Sequence, residues 1–202
     1  IIGTGAGATN YTDTSVQGVG LAATSFAVSV GAAVGSTATS ALTTAQAALS
    51  SNAFLVVYNG RSTSTYPDIG IGWSHDLSVI HRSANGPRIV KGTQSWKTFY
   101  AAHPWLVTDG TNYRCYYSGY TAGWQIGMST SADGYAWSDY AANPVLTNGC
   151  IAWDYDGVYY PVILYDPSDV AGERWKMWYL GFTGSVYSVG YAYSADGISW
   201  TR

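Results

Sequence analysis

One stretch of this chain is written three times. The last version runs from Trp175-Lys176-Met177-Trp178-Tyr179-Leu180-Gly181 to Ser194-Ala195-Asp196-Gly197-Ile198-Ser199-Trp200. Tyr116-Tyr117-Ser118-Gly119, Ile126-Gly127, Ser131-Ala132-Asp133-Gly134 and Trp137 make a close copy of it. Val57-Tyr58-Asn59-Gly60, Ile71-Gly72, Ser74-His75-Asp76 and Ile80 make a worn one. The turn aspartates stand at 76, 133 and 196, so the period is 57 and then 63 residues. A unit repeated at that spacing does not cover its own apolar faces and must stack on its neighbours. A second, offset match agrees: Trp96 stands eight residues before Pro104, and Trp153 eight before Pro161.

Composition decides what the unit is made of. Charged residues are only 10% of the chain, while aromatics reach 15% and glycines number 24. Tyr, Trp and Gly suit pleated, half-buried surfaces joined by tight turns. Strands are predicted over residues 54–58, 68–74 and, loosely, 79–90; over 103–107, 113–118, 125–129 and 137–146; and over 160–165, 174–180, 188–193 and from 198 onward. Asp109-Gly110-Thr111-Asn112 and Ala132-Asp133-Gly134 have the residues that tight hairpins demand. Four antiparallel strands per repeat predict an all-β fold, a partial β-propeller of about 2.5–3 blades at about 54–90, 96–146 and 153–202.

Residues 1–53 differ in kind. Gly, Ala, Ser, Thr and Val dominate, Asp13 is the only charge, and Tyr11 and Phe26 are the only aromatics. Ser25-Phe26-Ala27-Val28-Ser29-Val30 alternates as a short strand would, and 36–51 holds Leu42, Ala45 and Leu49 in a weak helical seam. The segment reads as a low-complexity assembly arm or stalk, through which other subunits of a homo- or hetero-oligomer would be engaged, or as a surface-draped arm. The chain opens without Met or a charged leader, as a processed or truncated product would.

Several classes of function are excluded. The net charge is −3 and no block of Lys or Arg exists, so the electrostatic footprint of a nucleic-acid binder is missing. The apolar run 16–35 is interrupted by Gln17, Thr24, Ser25, Ser29 and glycines, so no membrane span is expected. His75, His81 and His103 show no metal spacing, no Gly-rich phosphate loop opens a helix, and no cofactor is expected. Cys115 and Cys150 also lack metal spacing and read as buried apolar residues, with one disulfide as the other possibility.

The text from Met177-Trp178-Tyr179 through Val189-Gly190-Tyr191-Ala192-Tyr193 to Ser199-Trp200 resembles the blade repeats of the five-bladed β-propeller glycoside hydrolases, the arabinanase, β-xylosidase and invertase-like superfamily. The resemblance covers about 54–202. It implies paired carboxylates on the innermost strands around a central axis, the minimum for glycoside hydrolysis. One such carboxylate often precedes the blade's proline, where this chain has His103 before Pro104 and Tyr160 before Pro161. The carboxylates left near the axis are Asp154 and Asp156, on the loop that feeds an inner strand, with His103 as neighbour. Their other reading is a turn at Asp156-Gly157 and a solvated Asp154. Asp133 and Asp196 read as turn formers, with Trp137 and Trp200 folding back over the blade. A closed ring at this period needs roughly 300 residues, and 54–202 supplies three blades at most.

Two functions follow as expectations. In the first, the chain is a structural and recognition protein of an extracellular, virion or cell-surface assembly, of tail-fibre, decoration or adhesin type. Its propeller would bind carbohydrate through Tyr120, Trp124, Trp153, Tyr155 and His103, because aromatic faces stack on the C–H faces of sugars. In the second, it is a glycoside hydrolase, truncated or completed by another chain, using Asp154 or Asp156 as acid or base.

Overall fold

The computed structural model describes residues 21–22, 54–61, 66–83, 88–149 and 152–202. The strand expected at 25–30, the seam at 36–51 and Cys150 lie outside them. Three antiparallel blades account for the described chain. The first consists of β1 (Leu21–Ala22), β2 (Phe54–Gly60), β3 (Asp68–Ser74) and β4 (His81–Arg82), in that order across the sheet. The second consists of β5 (Tyr100–Thr108), β6 (Tyr113–Tyr120), β7 (Trp124–Ser131) and β8 (Ser138–Asp139). The third consists of β9 (Gly157–Tyr165), β10 (Trp175–Thr183) and β11 (Val186–Ser194), with Thr201 bridging Tyr193 at its rim. The first strands of successive blades, β1, β5 and β9, lie side by side. β1 comes from within the stretch 1–53 and pairs Leu21 with Val56 and Ala22 with Leu55.

The long outer strands expected over 79–90 and 137–146 are a correction. Among the described residues only His81–Arg82 and Ser138–Asp139 pair as strands there, with single bridges from Ile89 to Ile69 and from Leu146 to Ile126. In the second blade the reason is Asn143, whose side chain replaces a strand. Its Oδ1 accepts the Met128 N–H at 2.9 Å and its Nδ2 donates to the Met128 carbonyl at 2.8 Å. The worn copy is also out of register by two residues. Ile69-Gly70, not Ile71-Gly72, corresponds to Ile126-Gly127, because Ile69 and Ile126 make the same bridge and Tyr58 lies on Gly70, where a Cβ would stand 2.3 Å from the ring.

The repeated motif closes each blade in the same way. Asp133 Oδ1 accepts the N–H groups of Tyr135 and Ala136, and Asp196 Oδ1 those of Ile198 and Ser199, all at 2.8–2.9 Å. The residue after each aspartate has positive φ: Gly134 at 76°, Gly197 at 72° and, in the worn copy, Leu77 at 64°. Trp137 folds back to donate to the Gly134 carbonyl at 2.9 Å.

Ahead of the inner strands β5 and β9 a one-turn helix carries a tryptophan. Trp96, in Ser95–Lys97, lies on Gly119 and Gly127, where a Cβ would come within 2.1 and 2.3 Å. Trp153, in Ala152–Asp154, lies likewise on Gly181 and Gly190, at 2.3 and 2.5 Å. The residue after each tryptophan is charged, fully buried and paired with the residue two beyond the motif's last tryptophan. In the second blade Lys97 meets Asp139 at 2.7 Å, and in the third Asp154 meets Arg202 at 3.2 Å. The polarity of the pair is inverted between the blades. A tyrosine of the second strand serves both: Tyr117 donates to Asp139 at 2.8 Å, and Tyr179 accepts from Arg202 Nε at 3.1 Å. Burial lowers the pKa of Lys97 in spite of its partner, whereas Asp139 ends below the carboxylate range because Lys97, Ser129 and Tyr117 outweigh its burial.

Apolar residues fill the spaces between blades. Val57, Ile69 and Ile71 meet Leu106, Cys115 and Tyr117, and Tyr116, Ile126 and Met128 meet Ile163, Met177 and Tyr179. Cys115 is a buried free thiol, and burial pushes its pKa up. In the third blade the places of Tyr116, Ile126 and Met128 belong to Trp178, Val189 and Tyr191, which are 38%, 74% and 41% exposed. Among the described residues no helix is long and apolar enough to cross a membrane.

Removing one member of a buried pair strands the other. Lys97→Met is expected to cost about 3 kcal/mol, the low end for a broken buried pair, since Asp139 keeps its bonds from Tyr117 and Ser129. The double variant Lys97→Met/Asp139→Asn should recover about half of that loss. Urea unfolding midpoints at constant m-value check both.

Candidate functional site

The inner strands β5 and β9 each break their ladder at the residue before proline. The pairing of β5 with β6 shifts between Ala102 and Trp105, and that of β9 with β10 shifts opposite Tyr160-Pro161. At these bulges His103 and Tyr160 take φ of 52° and 53°, a left-handed conformation that side chains other than glycine rarely adopt. Each costs about 1–3 kcal/mol and persists only where its surroundings hold it. The preceding blade does so. Asn59 Oδ1 accepts the His103 N–H, and Ser118 Oγ accepts the Tyr160 N–H, both at 3.0 Å. Asn59 and Ser118 occupy the same place in their copies of the repeat, where the third copy has Leu180.

The bulges bring His103 and Tyr160 together as a stack, with ring centroids 3.7 Å apart and planes 24° apart. Trp124 and Tyr159 complete the cluster, at 5.5 and 6.0 Å from the imidazole. Burial lowers the His103 pKa to about 4, so the ring is neutral at neutral pH. Its Nδ1 is buried and makes no hydrogen bond among the described residues.

Next to this cluster a cleft of about 430 Å³ is lined by Tyr100, Tyr120, Ala122, Trp124, Asp156 and Phe182. That volume suits a small ligand or part of a longer one. Asp156 is held at its wall by the β10–β11 turn, where its Oδ2 accepts the Gly184 N–H at 2.5 Å, while its own N–H donates to the Phe182 carbonyl at 3.0 Å. It is the one carboxylate among the described lining residues.

Of the residues singled out in the sequence, Tyr120, Trp124 and Asp156 line the cleft and His103 packs against Trp124. Asp154 is elsewhere: fully buried and paired with Arg202 beneath Trp153, it is neither solvated nor open to a substrate. Trp153 belongs to the same closure, stacked on Tyr179 at 5.8 Å, and does not line the cleft. Tyr155 is 63% exposed beside the cleft and is not among its lining residues. Sequence reasoning missed Phe182, Tyr100 and Tyr159. Phe182 was legible, because it occupies in the third copy the place that Tyr120 occupies in the second.

The sequence matches no protein-family model and no curated protein. Solved structures match its fold. Fructan 1-exohydrolase IIa from Cichorium intybus superimposes with a TM-score of 0.61 at 16% identity, over 74% of this chain and 29% of that one. Zg3597, a family 117 glycoside hydrolase from the marine bacterium Zobellia galactanivorans, gives 0.58 at 16%, over 74% and 51%. The β-1,2-mannobiose phosphorylase from Listeria innocua gives 0.58 at 12%, over 74% and 54%. The chain therefore has the all-β propeller architecture of glycoside hydrolase structures and spans about half or less of the lengths it matches.

The buried neutral imidazole makes stability depend on pH. Its folded pKa of about 4 lies below the unfolded 6.5, so the unfolded chain binds the proton first. The stabilisation is complete above pH 6.5 and is lost as pH falls from there to about 4, on the order of 3 kcal/mol in all. His103→Phe should flatten that part of the profile. Melting temperatures across the interval decide it, with an unchanged slope in the variant counting against His103.

Proposed function

We propose that this chain is the carbohydrate-engaging part of a glycoside hydrolase-type propeller. The observation that carries the reading is the aromatic cleft beside the inner-strand bulges, where Trp124, Tyr120, Tyr100 and Phe182 surround a single carboxylate, Asp156. Aromatic rings give sugars a flat apolar surface, and a carboxylate accepts their hydroxyls or trades a proton with a glycosidic oxygen. The propeller architecture shared with hydrolases and a phosphorylase supports carbohydrate as the ligand class, although a shared fold by itself assigns no activity.

Hydrolysis is the stronger form of this reading, and Asp156 is the residue on which it rests. Paired-carboxylate chemistry needs a partner across the scissile bond, to be supplied from outside the described residues or by another chain. The second form is recognition without cleavage. It is favoured by one observation: the two bulge positions beside the cleft carry His103 and Tyr160, an aromatic stack. A role in a fibre, virion or adhesin rests on the composition of 1–53 alone, and the matched structures lend it no support. Extracellular or cell-surface placement fits a polysaccharide ligand.

A panel of aryl glycosides and polysaccharides, given to the natural chain and to Asp156→Asn, separates the two forms. If Asp156 is the acid or base, the natural chain releases sugar and the variant loses about 10²-fold or more of the rate while still binding. Binding by both with equal, background release leaves recognition. Absence of both binding and release rejects the carbohydrate reading.

A further inference from the structure

The cleft is the middle of a longer feature. Tyr66, on the loop between β2 and β3, contacts Tyr100 at 4.8 Å and Phe99 at 5.9 Å. Tyr100 contacts Trp124 and Tyr120 at 5.1 and 5.7 Å. Trp124 leads to Tyr159 at 5.5 Å, Tyr159 to Phe182 at 5.7 Å, and Phe182 to Tyr187 at 5.7 Å. Rings thus run without a break from the first blade, across the second, to the third.

Two details show what such a run can hold. The near-parallel pairs, Trp124 with Tyr159 at 24° and Phe182 with Tyr187 at 29°, have centroids 5.5 and 5.7 Å apart, and none of these four rings is fully buried. The ends are the exposed parts, with Tyr66 at 38% and Tyr187 at 60%. A ligand that used the whole run would extend past the cleft in both directions.

The charges select among glycans. No lining residue of the cleft is a cation, and Asp156 contributes a negative charge. At the Tyr66 end Lys91 donates to the Tyr66 carbonyl and is bound at 2.9 Å to Asp68, which offsets its charge. Arg61, exposed just beyond β2, is not among the lining residues. Anionic glycans such as uronates or sulfated chains need fixed cations along their path. This path has aromatic faces and a carboxylate instead.

We infer that the site takes an extended neutral glycan, several sugar rings long, laid along the aromatic run from Tyr66 to Tyr187. The inference rests on the carbohydrate reading above and adds the charge and length of the ligand to it. Cleft residues hold the central sugars, and the exposed end residues hold the outer ones. Affinity then grows with chain length and changes little with salt, since no counterions are released.

Titration calorimetry with neutral oligosaccharides of increasing length, and with a neutral and an anionic polysaccharide at low and high salt, tests this. Affinity should rise about tenfold or more from the shortest oligomer to the longest, and the neutral polymer should bind equally at both salts. Tyr66→Ala and Tyr187→Ala, at the two exposed ends of the run, should each remove most of the gain for long oligomers and leave short ones unchanged. Two results overturn the inference while sparing the carbohydrate reading: tighter, salt-sensitive binding of the anionic polymer, or equal affinity for short and long neutral oligomers. Binding of neither polymer overturns both. Loss of short-oligomer binding in either end variant also overturns it, by placing the short ligand at that end and not in the cleft.

Discussion

A four-stranded blade of this chain is apolar on both faces, and the rest of the structure depends on covering them. Tyr116, Ile126 and Met128 have almost no contact with water because the third blade lies over them. Their counterparts Trp178, Val189 and Tyr191 show the same face without that cover. A large side chain left wholly outside forgoes about 1.5–3 kcal/mol, and these, partly exposed, forgo a share of that. The blade spacing, the glycines that admit a tryptophan and the charges under it are all ways of bringing one face against the next.

The same constraint places the site. Blades that stack about a common side must bring their first strands together, and two of those strands bulge where Asn59 and Ser118 of the preceding blade supply an acceptor. The strain of left-handed His103 and Tyr160 is thus held by the contact between blades. A change in that contact would be felt at the aromatic cluster before any residue of the cleft itself was altered. Fold and site are joined there through two backbone N–H groups.

Much of this was legible in the sequence, and the exceptions have physical reasons. Inner and middle strands follow from alternation and turn residues, and the observed β3 has the predicted bounds of 68–74. The outer strand of the second blade was overestimated because an asparagine side chain can mimic a strand's hydrogen bonds, which no periodicity reveals. The two-residue slip at Ile69-Gly70 was invisible because residues two apart share a face of a strand. Asp154 was misread because its partner, Arg202, is distant in the chain, and because the equivalent position in the other blade is Lys97. Matching copies by residue identity hides a pair whose signs are exchanged. The cleft was half visible: its tryptophan and one tyrosine stood out beside a turn, whereas Tyr100 comes to it only through packing.

That exchange of signs also bears on how a chain of near-copies finds its own partners. Repeats of similar sequence risk annealing the rim of one blade to the loop of another while folding. Here such an error would set Lys97 against Arg202 and Asp154 against Asp139, placing like charges in sites closed to water. Each blade is therefore keyed like a lock to its own final strand, and a hybrid built by exchanging rims between the two would have to exchange the loops as well.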